Sequence, residues 1–201
     1  MSLAGYVVAA IDRSAAQELV IAKHYLHRRA SCSFAWALRN PSGEILGVVM
    51  YGSPVSSTLC RGICGPEEAS NVIELTRLWV DDSVPKNGES YLIGRTLRLV
   101  PKDIVVSFAD PSAAHRGVVY QATNFLYTGL GPQRKKWVNL ERPDLHFHRG
   151  STQGRSYEEL RQEAHLAYIP AVRKHRYIWF APRRRRELLA KLRYPILAYP
   201  K

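Results

Sequence analysis

Cysteine is scarce in this chain, and long apolar runs are missing altogether. Three cysteines (Cys32, Cys60, Cys64) in 201 residues are too few, and odd in number, for a disulfide framework, which fits a reducing compartment. The Cys60, Cys64 pair has no second pair at zinc-finger spacing, so these thiols read as buried or idle rather than as ligands. No window approaches the roughly 18 unbroken apolar residues of a membrane span, and no basic stretch, apolar run and cleavage site opens the chain. The expectation is an intracellular protein without a membrane partner. No repeat or low-complexity segment interrupts the chain, and this length suits one domain, 1–201.

Acidic residues are scarce in one region only. The formal charge is +12, yet residues 1–131 hold 12 Lys and Arg against 11 Asp and Glu, whereas residues 132–201 hold 17 against 6. A nearly neutral core, about 1–131, is thus followed by a basic C-terminal extension, about 132–201. A surface that basic gains from counterion release when it lies on phosphates, which makes nucleic acid the leading partner and an acidic protein or lipid the alternative. The candidate DNA contacts are Arg134, Lys135 and Lys136, then Arg173, Lys174 and Arg176, then Arg183, Arg184, Arg185 and Arg186. Trp137, Tyr177, Trp179 and Phe180 are interleaved with them, a pattern that suits backbone and base contact.

Hydrophobic patterning indicates an α/β fold with a central mixed β-sheet flanked by helices. Residues 5–10 read as a strand, and Ser14 with Gln17 forms a capping-box pattern opening a helix to about residue 28. Residues 33–38 and 44–51 form a hairpin, 52–70 a long irregular loop, and 72–80 a strand. A period of two places Ile73, Leu75, Arg77 and Trp79 on one face of that strand. A helix follows over 87–100 with Asn87 as its cap, then a strand at 104–109. Asp110 and Pro111 open a helix to about 124, and a strand covers 125–129.

Five residues stand out for chemistry. His24 lies near the end of the first helix beside further cations, where a capping cluster is the plain reading. Arg77, a guanidinium on an apolar face, must either pair with an anion such as Glu74 or Glu89 or line a cavity. Asp110 reads as a helix cap or, at the exit of a central strand, as a residue that meets a ligand or metal. Ser90 falls in a helix first turn, where free amides hold anions. Tyr120 reads as a packed tyrosine or as a member of the same crevice.

The element order ending in VYQATNFLYTG resembles the Gcn5-related acetyltransferase (GNAT) superfamily, which places a proton-donating tyrosine where Tyr120 falls. The pyrophosphate-cradling turn of that superfamily is missing from PKNGESYLIG, which counts against ordinary coenzyme A binding. HYLHRRASCSFAW, VIELTRLWV with NGES, and VVSFADPSAAHRGVVYQATNFLYTG resemble, in order and spacing, the Mom family of bacteriophage DNA modification proteins. That resemblance implies attachment of a methylcarbamoyl (acetamido) group to N6 of adenine in double-stranded DNA, shielding it from restriction, in the cytoplasm of an infected bacterial host. It places His24, Arg77, Ser90, Asp110 and Tyr120 on implicated positions. It further implies ferrous iron held by His24, Asp110 and Tyr120, and an acyl-CoA or other small-molecule donor anchored at Ser90. All five side chains are then expected around one hollow. Two alternatives stay open: a non-catalytic DNA-binding module on such a scaffold, and an ordinary amine N-acetyltransferase. The oligomeric state stays open as well.

Overall fold

A computed structural model describes residues 2–143 and 154–201; the part of the basic extension at 144–153 lies outside the described residues. In chain order the elements are β1 (Val7–Ala10), α1 (Arg13–Lys23), β2 (Phe34–Arg39), β3 (Ile45–Gly52), α2 (Ser57–Cys64), β4 (Val72–Val80), α3 (Gly88–Thr96), β5 (Ile104–Ala109), α4 (Val118–Gln121), β6 (Leu126–Leu130), β7 (Lys135–Asn139), α5 (Tyr157–Arg161), β8 (Leu166–Pro170), β9 (His175–Phe180) and α6 (Arg185–Lys191). Seven strands form one sheet in the order β1-β2-β3-β4-β5-β9-β6, and β7 pairs with β8 in a separate two-stranded sheet. Among the described strands only β4 and β5 are parallel neighbours. The expected mixed sheet with helices on its faces is present.

The basic C-terminal third supplies an internal strand of this sheet, one place from its edge. β9 lies antiparallel between β5 and β6, so the expected boundary near residue 131 runs through a shared set of ladder bonds. Tyr177, Ile178 and Phe180 are fully buried and Trp179 nearly so. These side chains are core, not a nucleic-acid surface, because a strand paired on both edges and covered on both faces must be apolar.

Several local expectations are corrected. The α1 cap is Asp12, whose carboxylate accepts from the Ser14 and Ala15 amides, while the Ser14 hydroxyl donates to Asp12 Oδ1 at 2.7 Å. Gln17 instead pins the following loop, donating to the Ala30 carbonyl and accepting from its amide. The helix ends at Lys23 because His24 turns extended, with φ −78° and ψ 139°. The loop expected over 52–70 contains α2, capped by the Ser56 hydroxyl, and a 3₁₀ turn over Pro66–Asn71. Asn87 precedes α3 in the left-handed region, with no side-chain cap bond. The helix expected after Asp110 is a 3₁₀ turn over Pro111–Ala113 followed, past Gly117, by the short α4.

Three apolar clusters hold the layers together. One joins β2–β4, α3 and α4 through residues such as Leu38, Leu92, Ile93, Phe125 and Tyr177. A second joins α2 and α6 to the other face through Ile63, Ile104, Ile178 and Leu188. The third seats α1 on β2 and β3. Each fully buried large aliphatic or aromatic side chain contributes about 1.5–3 kcal/mol, which is why α6, with seven residues, holds its place at all.

Candidate active site

β4 and β5 pair only over Val72–Glu74 and Ile104–Val106, although both strands continue, β4 to Val80 and β5 to Ala109. Beyond Glu74 they diverge. The opening is tied at its base by the Ser107 hydroxyl, which donates to the Leu75 carbonyl at 3.2 Å. A cavity of about 550 Å³ fills this splay, walled by β4, the end of α1, and the segment from Ala114 to Tyr120. Its volume is that of a small-molecule or single-nucleobase site.

A bulge in β4 sets which side chains reach it. Tyr51 pairs with Leu75 and Met50 with Arg77, so Thr76 is the extra residue. The alternation expected from period two breaks there: Ile73, Leu75 and Leu78 join the cluster on the α3 side, whereas Trp79 packs with the α1 cluster. Arg77, opposite Met50 of the α1 cluster, is therefore not the odd member of the Ile73 face. A bulge re-aims side chains in this way.

Arg77 lines the cavity rather than forming an ion pair. Its Nη1 donates to the Thr76 carbonyl at 2.7 Å, Nη2 reaches the Arg29 carbonyl at 3.4 Å, and Nε is buried without a partner. No salt bridge joins it to Glu74 or Glu89 among the described residues, although both acids line the same cavity. His24 is buried beside it. Burial, then the Arg77 and His115 charges, hold its imidazole down at about 4, so the ring is neutral near pH 7. Its Nδ1 accepts from the Leu26 amide at 3.1 Å, which leaves the proton on Nε2. Tyr120 is buried against Phe125 and Tyr177, with ring centroids 5.3 and 5.1 Å away. Burial pushes its phenol up to about 12.

The five expected residues do not share one hollow. His24, Arg77 and Tyr120 line the splay cavity. Asp110 stands behind Lys174, which does line it, with Oδ2 2.9 Å from the ammonium. Its Oδ1 caps the 3₁₀ turn, accepting from the Ser112 amide at 3.0 Å and hydroxyl at 2.6 Å. Ser90 faces a second cleft of about 460 Å³ with Tyr91, Arg98, Thr123 and Trp179, and its hydroxyl donates to the Asn87 carbonyl. Glu89 faces the first cavity and Ser90 the second because successive helical residues diverge by about 100°. α3 is thus a wall of both, while α4 lines the first and the residues just past it, Ala122 to Asn124, line the second.

The residues expected to hold iron are otherwise engaged. Among the described residues no three His, Cys, Asp or Glu side chains stand at metal-binding spacing. His24 Nδ1 is already an acceptor, both Asp110 oxygens are engaged, and the Tyr120 phenol holds its proton. This arrangement does not offer iron a ready ligand set.

Tyr25 and His115, missed by sequence reasoning, belong to the cavity, as does Glu74, which was considered only as an ion-pair partner for Arg77. Tyr25 stacks on His24 at 4.4 Å and meets His115 edge-on at 5.3 Å, forming an aromatic wall. Glu74 carries a buried Oε2 with no partner. A carboxylate inside the apolar run VIELT was the available signal, of the same kind that singled out Arg77.

The expected DNA contacts divide. Arg134, Lys135, Lys136 and Arg186 are exposed and Arg185 half-buried, and none is in an ion pair among the described residues. Arg176 is buried: its guanidinium donates to Thr128 and lies 3.5 Å from the Tyr194 ring centroid. Arg173 clasps the Gly131 and Leu130 carbonyls. Arg183 bridges Asp103 at 2.6 Å, and Arg184 grips Glu68 and Glu187. Arg176 is thus a buried tie and Arg184 a half-buried one, whereas Arg173 and Arg183 are exposed cations that also bind their own chain.

The Mom protein family model matches residues 5–201. The methylcarbamoylase mom of Escherichia phage Mu is 27% identical over 197 residues, covering 92% of this chain and 80% of that protein. In structure, the chain is similar to a candidate acetyltransferase of Acinetobacter baylyi ADP1, with a TM-score of 0.50, 10% identity, and coverage of 88% of this chain and 92% of that one. The likeness in fold is to the acetyltransferases, and no helix among the described residues is long and apolar enough to cross a membrane. By the family match over nearly its whole length, the chain belongs to the Mom protein family.

Proposed function

We propose that this chain is a DNA-modifying transferase that places a methylcarbamoyl group on N6 of adenine in double-stranded DNA, shielding the DNA from restriction in the cytoplasm of an infected bacterium. The observation that carries this reading is the splay cavity, which is lined by a half-buried guanidinium outside any ion pair, a neutral imidazole and a buried phenol. The chain's likeness to a methylcarbamoylase supports this choice of transferred group. An N6 amine in duplex DNA is paired and stacked, so the base must leave the stack, at a cost of a few kcal/mol. Tyr25 and His115 offer aromatic faces to a base arriving at the cavity, and Lys23, Arg116 and Lys174 set positive charge around it. Arg134, Lys135, Lys136, Arg185 and Arg186 remain free for phosphate contact, which offsets the extrusion cost.

The side chains suggest roles from their protonation. Tyr120, protonated at neutral pH, serves as a proton donor to a departing group. Neutral His24 can donate from Nε2 to a substrate acceptor while Nδ1 stays fixed by the Leu26 amide. Arg77 orients the base. The second cleft, with Ser90 and Arg98, takes the small-molecule donor, and Asp110 keeps Lys174 and the 3₁₀ turn in place.

Mass spectrometry of nucleosides from cells expressing the chain tests the proposal. Modified deoxyadenosine is expected with the native chain and none with Tyr120→Phe. Unmodified DNA in both would leave the fold without this activity.

A further inference from the structure

Only two side-chain polar atoms among the described residues are buried without any partner: Glu74 Oε2 and Arg77 Nε. Both belong to residues that line the splay cavity. A buried acceptor and a buried donor left without partners beside one cavity are an unstable choice for a fold unless something else completes them, because each has given up its water. The two do not complete each other, since no ion pair joins them. The β4 bulge accounts for the arrangement. Residues three apart on a regular strand face opposite ways, and the extra residue Thr76 restores them to one side. Burial also raises the Glu74 carboxyl, against the pull of Arg77 and Lys174.

Neither atom meets solvent as the side chains stand; a turn of each side chain would bring an acceptor and a donor to the cavity, a pair that fits a planar group with an N–H on one flank and a lone pair on the other. An amidine edge is such a group. We infer that Glu74 and Arg77 are the base-reading pair of this cavity: Glu74 Oε2 accepts an N–H of an exocyclic amine, and Arg77 Nε–H donates to the neighbouring ring nitrogen. This assignment rests on the adenine reading and adds what selects the base. A keto purine reverses the pattern, setting a carbonyl against the carboxylate and a ring N–H against the guanidinium. Sites built to hydrogen-bond a substrate reject such analogues strongly, because the polar groups of the site are then left unpaired.

The test uses the full chain and two oligonucleotide duplexes, each with one unpaired target base, adenine in one and hypoxanthine in the other, read by fluorescence anisotropy. The native chain is expected to favour adenine by about tenfold or more. Glu74→Gln, which keeps the size and can donate to a keto oxygen, is expected to bring that ratio towards one with an unchanged circular dichroism spectrum. A native ratio in Glu74→Gln overturns the pair, as does a native chain that does not separate the two bases. The underlying reading is judged apart by nucleoside mass spectrometry of cellular DNA. Adenine modified by the native chain, together with an undisturbed ratio in the variant, sinks the base-reading pair alone.

Discussion

The Lys174 ammonium lies 2.9 Å from Asp110 Oδ2, joining the start of β9 to the end of β5 at the margin of the cavity. Lys174 comes from the basic third and Asp110 from a segment resembling other Mom proteins, so the pair binds what the sequence presents as separate regions. It also occupies the carboxylate expected to hold iron. Ferrous iron added anaerobically to purified protein is expected to bind at well under one equivalent, and Lys174→Met, which frees Oδ2, to raise that amount. Elemental analysis decides. One full equivalent in the native chain, lost in both His24→Ala and Asp110→Ala, would reinstate the iron triad.

Arg77 separates stability from activity. Its unpaired, buried Nε is a cost to the fold, so Arg77→Met is expected to leave stability within about 1 kcal/mol of native or to raise it. DNA modification is expected to vanish. Denaturant unfolding and nucleoside analysis give the two readouts, and a variant that stays active removes Arg77 from the site.

The basic side chains are expected to fall into two classes under mutation. Reversing Arg134, Lys135 and Lys136 together is expected to flatten the slope of log affinity against log salt by about 3 with no loss of stability, since each lost phosphate contact removes about 0.9. Arg176→Ala is expected to cost about 2–4 kcal/mol, because it opens a buried site and strands the Thr128 carbonyl. An unchanged salt slope in the triple variant would take those cations off the DNA.

The clasp between α6 and the 3₁₀ turn carries a pH signature. Hydrogen bonds from Arg184 and Lys191 hold the Glu68 carboxyl at about 2, below its ordinary 4.5. A depressed folded-state value means the stabilisation is complete above 4.5 and is lost as pH falls through 2. The gap in thermal midpoint between the native chain and Glu68→Gln is therefore expected to be widest above pH 4.5 and to close towards pH 2. A gap that persists at pH 2 contradicts the clasp.

Gly117 has φ +77°, and a Cβ there would stand 2.4 Å from the Tyr177 ring, whose hydroxyl donates to the Arg116 carbonyl. Gly117→Ala is expected to destabilise the fold by about 1–3 kcal/mol, from left-handed strain and the displaced ring. Thermal unfolding measures it, and a neutral result would mean that the ring gives way freely.

Strands β2 to β5 were legible because apolar residues recur there with strand-like length and turn residues between them. β9 was not: Arg173, Lys174 and Arg176 gave HRYIWF the look of a charged surface, although its last three residues have strand composition. The Thr76 bulge leaves no mark in VIELTRLWV, so period two assigned Arg77 to the wrong face while still singling it out. Asp110 reads correctly in its plainer sense as a cap. Ser90 was placed in the right turn of the right helix, but strand and helix positions alone do not say which of two clefts a side chain enters.

Because β9 separates β5 from β6, a strand that comes late in the chain order fills a place inside the sheet, one from its edge. Until residue 180 has emerged from the ribosome, β5 has an open flank and β6 has no neighbour, and exposed strand edges invite pairing with other chains. A truncation upstream of His175 would therefore remove more than a basic tail. It would leave a nascent protein with a gap in its sheet, prone to aggregation before it ever met a substrate.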